Sequence, residues 1–200
     1  MKHTLLKLLW ITVIILTAVS ASAQQSKQDM LRRRAAEKVG QLCDYIEFMA
    51  NPQNNFKTRN YYRTMALNLF INKGEAYEED GRKKKGVLME VTSVNNKTSR
   101  HRLIKEYFTG LINLNYEKVT ISTTEVSDIE VSKLKRIAEN QYVCTCYFEQ
   151  VFCGYREGRP VYRDVTRKKV KCYVFKEQTE DGEEYVVMLG DVTAMSTKRF

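Results

Sequence analysis

The stretch YVCTCYFEQVFCGYREGRPVYRDVTRKKVKCYVF, Tyr142–Phe175, decides the fold. It reads as two long runs of alternating side chains on either side of Glu157-Gly158, a pair suited to a tight antiparallel turn. In the first run Cys144, Cys146 and Cys153 lie close together and invite a metal or redox reading. Strand alternation argues against it, because Cys144 and Cys146 share one face and Cys153 takes the other. Same-face neighbours two apart are separated by roughly 6–7 Å, which is long for a disulfide. The finger-type spacing of structural zinc is absent as well. The sequence therefore predicts no metal site and no cofactor, with the cysteines serving as small buried apolar residues.

Cys172 lies on the second run, and its partner depends on the register. With Glu157-Gly158 alone as the loop, Arg156 faces Arg159 and Cys172 faces Val143. With Arg156 in the loop, Tyr155 faces Arg159 and Cys172 faces Tyr142. A Cys144–Cys172 disulfide thus requires a further slip or bulge, and five cysteines leave at least one unpaired. Both faces of the first run are apolar, with Tyr142, Cys144, Cys146, Phe148 and Phe152 on one and Val143, Tyr147, Val151 and Cys153 on the other. An antiparallel strand with a wet side alternates with polar residues. This one is expected to be covered twice, by helices and by a second copy in a homodimer through the outer sheet face. On the second run Arg163, Arg167, Lys169 and Lys171 share one face, which is exposed or meets an anionic partner.

Upstream, Leu31, Ala35, Val39, Leu42, Cys43, Ile46 and Met49 recur at three- and four-residue intervals, the mark of one helical face over Gln28–Ala50. A second helix is expected over Phe56–Asn72, with Phe56, Tyr62, Met65, Ala66, Leu69 and Phe70 inward and Gly74 as its stop. Asp80-Gly81 sits between an acidic and a basic arm and predicts a charge-paired hairpin, followed by a strand over Val87–Val94. A third helix is expected over Ser99–Leu114, with His101 in its first turn. Strands follow at Val119–Val126, with a resumption to Ile137, then at Gln141–Tyr155, Pro160–Lys176 and Glu184–Ala194. Glu139-Asn140 and Asp181-Gly182 supply the remaining turns.

Residues 1–23 read as a signal peptide, with Lys2 and Lys7 ahead of an apolar run and Ala21-Ser22-Ala23 as a small-x-small cleavage site. The run is shorter than the roughly 20 apolar residues that span a bilayer. No cysteine follows the cleavage site, so a lipoprotein anchor is not expected. The chain is expected to be periplasmic or secreted, not membrane-spanning after cleavage, and a single domain over residues 24–200. Loss of Lys2 and Lys7 takes the formal charge from +9 to +7. No recognition-helix or stacking-platform motif accompanies that charge, so nucleic acid is not expected as a partner.

Helices first and long strands with short turns afterwards predict an α+β protein, with N-terminal helices packed in the concavity of a curved antiparallel sheet. Element order, together with GYREGRPVYRDVTRKKVKCYVF and EDGEEYVVMLGDVTA, resembles the closing hairpins of exported bacterial proteins in the cone-shaped nuclear transport factor 2-like, or cystatin-like, family, which also holds the ketosteroid isomerases. The resemblance implies a pocket within the cone and a homodimer across the outer sheet. It favours a non-catalytic binding or protein-interaction domain for an unknown small ligand or protein partner. The alternative is a small cofactor-independent isomerase or lyase using a pocket carboxylate and a tyrosine. Tyr62, Tyr107, Tyr147, Glu149 and Tyr162 are the candidate ligand-binding residues. For the enzyme reading the acids are Glu149, Asp164 and Asp191, with Tyr62, Tyr107 and Tyr142 as donors. His101, placed at a polar helix start, does not supply the pocket histidine of the family's dehydratase-like members.

Overall fold

The computed structural model describes residues 2–179 and 182–199, with side chains from residue 24 onward except at 96, 97 and 179. The expected leader, its cleavage site and Asp181 therefore lie outside the residues whose side chains are described. Helix α1 runs Lys2–Ala50. All seven stripe residues from Leu31 to Met49 are buried. At about 1.5–3 kcal/mol for each large apolar side chain, this stripe is the main adhesive between helix and sheet.

Helix α2, Phe56–Leu67, starts where the Asn55 side chain accepts the Thr58 N–H at 2.9 Å. It is shorter than the spacing predicts. The chain leaves it so that the Leu69 carbonyl accepts the Leu189 N–H at 2.8 Å and Phe70 bridges Leu189 in parallel. Asn72, Lys73 and Gly74 then reverse the backbone at positive φ. Phe56, expected inward, is exposed on the first turn of α2.

Asp80-Gly81 forms the expected turn between strands β1, Tyr77–Glu79, and β2, Arg82–Lys84. Both turn residues have positive φ. Opposite charges face each other at Glu78–Lys83 and Glu79–Arg82. Glu79 also receives Lys171 Nζ at 2.6 Å and the Tyr173 hydroxyl, which ties the hairpin to the outer sheet face.

The third helix differs most from expectation. Residues 96–103 form strand β4, Asn96–Leu103, paired with β3, Leu88–Ser93, and helix α3 is only Ile104–Ile112. Thr98-Ser99-Arg100-His101-Arg102 has no apolar residue to bury on a helical face, whereas as a strand it satisfies the edge of β3. The helix begins where its buried stripe begins, at Ile104, and continues through Phe108, Leu111 and Ile112.

The remaining strands are β5 (Lys118–Thr123), β6 (Glu130–Val131), β7 (Lys135–Ala138), β8 (Gln141–Arg156), β9 (Arg159–Thr179) and β10 (Gly182–Arg199). The sheet order is β4-β3-β10-β9-β8-β5, with β6 and β7 also along β8. All its pairings are antiparallel except β3 with β10, which meet in parallel at Met89 and Val192. The chain is thus α+β, with its helices in the hollow of a curved, mostly antiparallel sheet.

Bulges produce the curvature. Between β8 and β9, Arg156 faces Arg159 and Tyr155 faces Pro160, but Gly154 faces Tyr162, so Val161 is the extra residue. The expected Arg156–Arg159 register thus holds at the turn and is lost beyond the bulge, so that Cys172 stands directly opposite Cys144. A second interruption at Gly190-Asp191 lets Asp191 Oδ1 accept the Leu88 N–H at 2.8 Å. A third falls at Met195.

Gly154 permits a close approach in the fold's hollow. A Cβ there would lie 2.5 Å from the Tyr116 ring, which packs edge-on against Phe152. Gly154→Ala is expected to cost about 1–3 kcal/mol in urea unfolding. In a Tyr116→Ala background the added cost should fall below about 0.5 kcal/mol, because the clashing ring is gone. Equal costs in the two backgrounds would show that Tyr116 is not what excludes a side chain at Gly154.

Candidate functional site

The hollow between α3 and the inner sheet face holds a cavity of about 370 Å³. Tyr107, Leu111 and Leu114 line it from the α3 side, Tyr116 and Phe152 from the β5–β8 side, and β9 contributes Tyr162, Asp164, Thr166 and Lys168. The last three are successive inward positions of one strand, all buried. Alternation puts them on the face of Val170, Cys172 and Val174. Gln150, buried on β8, faces Thr166 across the strand pair.

Lys168 is the chemical anomaly. Its residue is 6 % exposed, and among the described residues no ion pair reaches it. Its ammonium has the Met89 sulfur at 4.0 Å and lies 5.6 Å from the centre of the Tyr107 ring. Burial lowers its pKa to about 8, against the opposing pull of Cys43 and Asp164. Gln150 Nε2, also buried, has no hydrogen-bond partner among the described residues. Thr166 shares a hydroxyl contact of 3.1 Å with Thr197, which in turn meets Thr92, so three strands are joined by hydroxyls along one wall.

Asp164 accepts a hydrogen bond from the Tyr162 hydroxyl, which also meets Ser93 Oγ at 2.9 Å. Burial raises the Asp164 carboxyl above its ordinary range, although the Tyr162 bond and the Lys168 charge pull the other way. Burial and the Asp164 bond raise the Tyr162 phenol, and burial dominates the upward shift of Tyr107. One cavity thus gathers the cations Lys168 and Arg102, one carboxyl group and three phenols beside Leu111, Leu114 and Phe152.

Of the residues singled out by sequence, Tyr107, Tyr162 and Asp164 meet in this cavity and the others do not. Glu149 is exposed and offers its backbone N–H to Thr124 Oγ1 at 2.8 Å. Tyr147 and Asp191 line a groove on the outer face with Lys169 and Lys171. Tyr62 stacks on Phe48 at 4.5 Å between α1 and α2. Tyr142 lies at the far end of the sheet beside Tyr185. His101 sits on β4, not on a helix, 57 % exposed and 4.0 Å from Glu90. Lys168 and Gln150 were missed, although the parity of Lys168 with Val170, Cys172 and Val174 placed it inward.

No family model matches the chain, and no curated protein matches it. Two solved structures are similar in outline. One, from Novosphingobium aromaticivorans and described as a scytalone dehydratase, has 9% identity and a TM-score of 0.45, covering 88% of this chain and 91% of its own. The other, a Kribbella flavida protein, has 12% identity and a TM-score of 0.43, covering 85% and 95%. Neither likeness carries an argument about chemistry here, which rests on the residues themselves.

The Lys168 shift makes a stability prediction. Below about pH 8 the folded chain bears the full burial penalty of the ammonium. Between about pH 8 and 10.5 the unfolded chain holds a proton that the folded chain lacks, so stability rises with pH across that window. Lys168→Met should be more stable than the parent at pH 7 by roughly 1–3 kcal/mol. The gap should shrink towards pH 10.5 in chemical denaturation series. A variant less stable than the parent at pH 7 would mean that the ammonium is satisfied in the fold.

Proposed function

We propose that the chain is an exported, nuclear transport factor 2-like binding domain whose cone takes a small, mainly apolar molecule bearing one anionic group. The observation that carries this reading is Lys168, a buried cation with no carboxylate at ion-pairing distance among the described residues, in a cavity shared with Gln150, whose Nε2 also lacks a partner among them. Buried charges and buried donors are costly when unmet. A ligand carboxylate or phenolate would answer both, while Leu111, Leu114, Tyr116 and Phe152 enclose the apolar body. An anion beside Lys168 also favours its charged form, so binding above pH 8 takes up a proton.

Calorimetry with 2-naphthoate and its neutral carboxamide tests the idea. The carboxylate should bind more tightly than the amide by at least about tenfold, and Lys168→Met should remove that preference. Equal binding of the two probes by the parent protein would overturn the anionic assignment.

The Asp164–Tyr162 pair favours a second reading, proton transfer next to a carbonyl. A carboxyl raised by burial is a better base than an ordinary one, and a phenol in the same cavity is a donor for an enolate oxygen. Under this reading the protein accelerates deuterium exchange α to the carbonyl of a cyclic ketone, followed by NMR. Asp164→Asn should slow that exchange by about 10²-fold or more. Exchange no faster than in buffer would leave the binding reading alone.

A further inference from the structure

The bulge at Val161 brings together three thiols that their spacing in sequence keeps apart. Cys144 stands opposite Cys172, and Cys146 is the next inward residue on β8. The three sulfurs all lie within 4.8 Å of one another, with Cys172 Sγ 3.5 Å from Cys146 Sγ. The three residues are 0–3 % exposed. A metal ion at about 2.3 Å from each of three sulfurs places those sulfurs about 4.0 Å apart. The observed triangle accommodates that figure with small side-chain adjustments.

We propose that Cys144, Cys146 and Cys172 form a three-coordinate site for a soft monovalent metal ion, Cu(I) in particular. Zinc and iron–sulfur clusters want four ligands. Among the described residues no further histidine, cysteine or carboxylate joins the group, and burial keeps water from filling a fourth position. An all-sulfur donor set selects soft ions. The flank of the site supplies charge compensation. Arg32 reaches from α1 to donate through Nη2 to the Val131 carbonyl at 2.7 Å, and Val131 is the β6 partner of Cys146. Its Nε, on the same guanidinium, is buried and without a partner among the described residues. Three thiolates and Cu(I) together carry two negative charges, part of which this guanidinium, also 3.6 Å from Asp29, offsets. Binding releases three thiol protons to water and changes no oxidation state, so affinity rises with pH.

The test is anaerobic titration of the reduced, metal-free full chain with Cu(I) buffered by a bicinchoninate competitor. The expected result is one Cu(I) per chain and a new near-ultraviolet thiolate-to-copper charge-transfer band. Cys146→Ser and Cys172→Ser should each weaken binding by about 100-fold or more, whereas Cys43→Ser and Cys153→Ser should leave it unchanged. Failure to take Cu(I) from the competitor, equal loss in Cys153→Ser, or preferential retention of zinc would overturn the proposal. Should a serine variant fail to fold, X-ray absorption on the copper-loaded parent decides, three sulfur neighbours supporting the site and two or four overturning it.

Discussion

One extra residue at Val161 sets the character of the whole sheet. Side chains on a strand alternate, so shifting a register by one exchanges every inward residue for an outward one. Continued without the bulge from the Arg156–Arg159 pair, the register would set Lys171 opposite Cys144 and Arg167 opposite Phe148, with the basic row in the hollow. The bulge instead sets Cys172 opposite Cys144 and Lys168 opposite Phe148, and sends Arg163, Arg167, Lys169 and Lys171 outward. A buried row of like charges is untenable, whereas one buried lysine beside a carboxyl group is tolerable at a cost. Pro160 fits the place, since it lacks the N–H that a regular ladder would use.

The same register divides the hollow into two chemistries along the strands. Towards one end lie the thiols, Val170, Val174 and Leu189, buried with the apolar stripe of α1 in one core. Towards the other lie Gln150, Asp164, Thr166 and Lys168, beneath α3 and Tyr116. Cys43 on α1 stands at the border, where burial pushes its thiol up to about 12 and the Lys168 charge opposes that rise. The apolar half supplies the stability that the polar half consumes. Local weakness of this kind is characteristic of functional sites.

Local features were legible and pairwise ones were not. The α1 stripe follows from a 3.6-residue period within one segment, and every residue it named is buried. The Asp80-Gly81 hairpin follows from two adjacent residues and the charges beside them. Register belongs to two strands at once, and Pro160, the local hint of a bulge, does not say where the ladder resumes, so the sequence pairs Cys172 with Val143 or Tyr142 in place of Cys144. The β4–α3 boundary failed for a similar reason, because β3 needed a neighbour that only the assembled sheet defines. The sequence of β8 does not say which of its two apolar faces meets the helices, which is why Glu149 and Tyr147 read as pocket residues but lie outside the hollow. Lys168 had a usable signal, its parity with Val170, and was lost among the cations that surround it.

Those surrounding cations also change the meaning of the net charge. A row of like charges along an exposed strand suggests an anionic partner, yet this one is partly answered within the chain. Glu79 of the β1–β2 hairpin meets Lys171, and Glu130 of β6 meets Arg167 at 3.1 Å. Exposed pairs of this kind contribute little stability each, typically 0–1 kcal/mol. They do fix where two small elements dock, since a three-residue strand has little apolar surface with which to choose a position. The basic outer face therefore serves the fold by capturing acidic segments from elsewhere in the sequence. Lys168, by contrast, is buried and turned inward, with no ion pair among the described residues, and that contrast is why function is sought in the hollow and not on the charged surface.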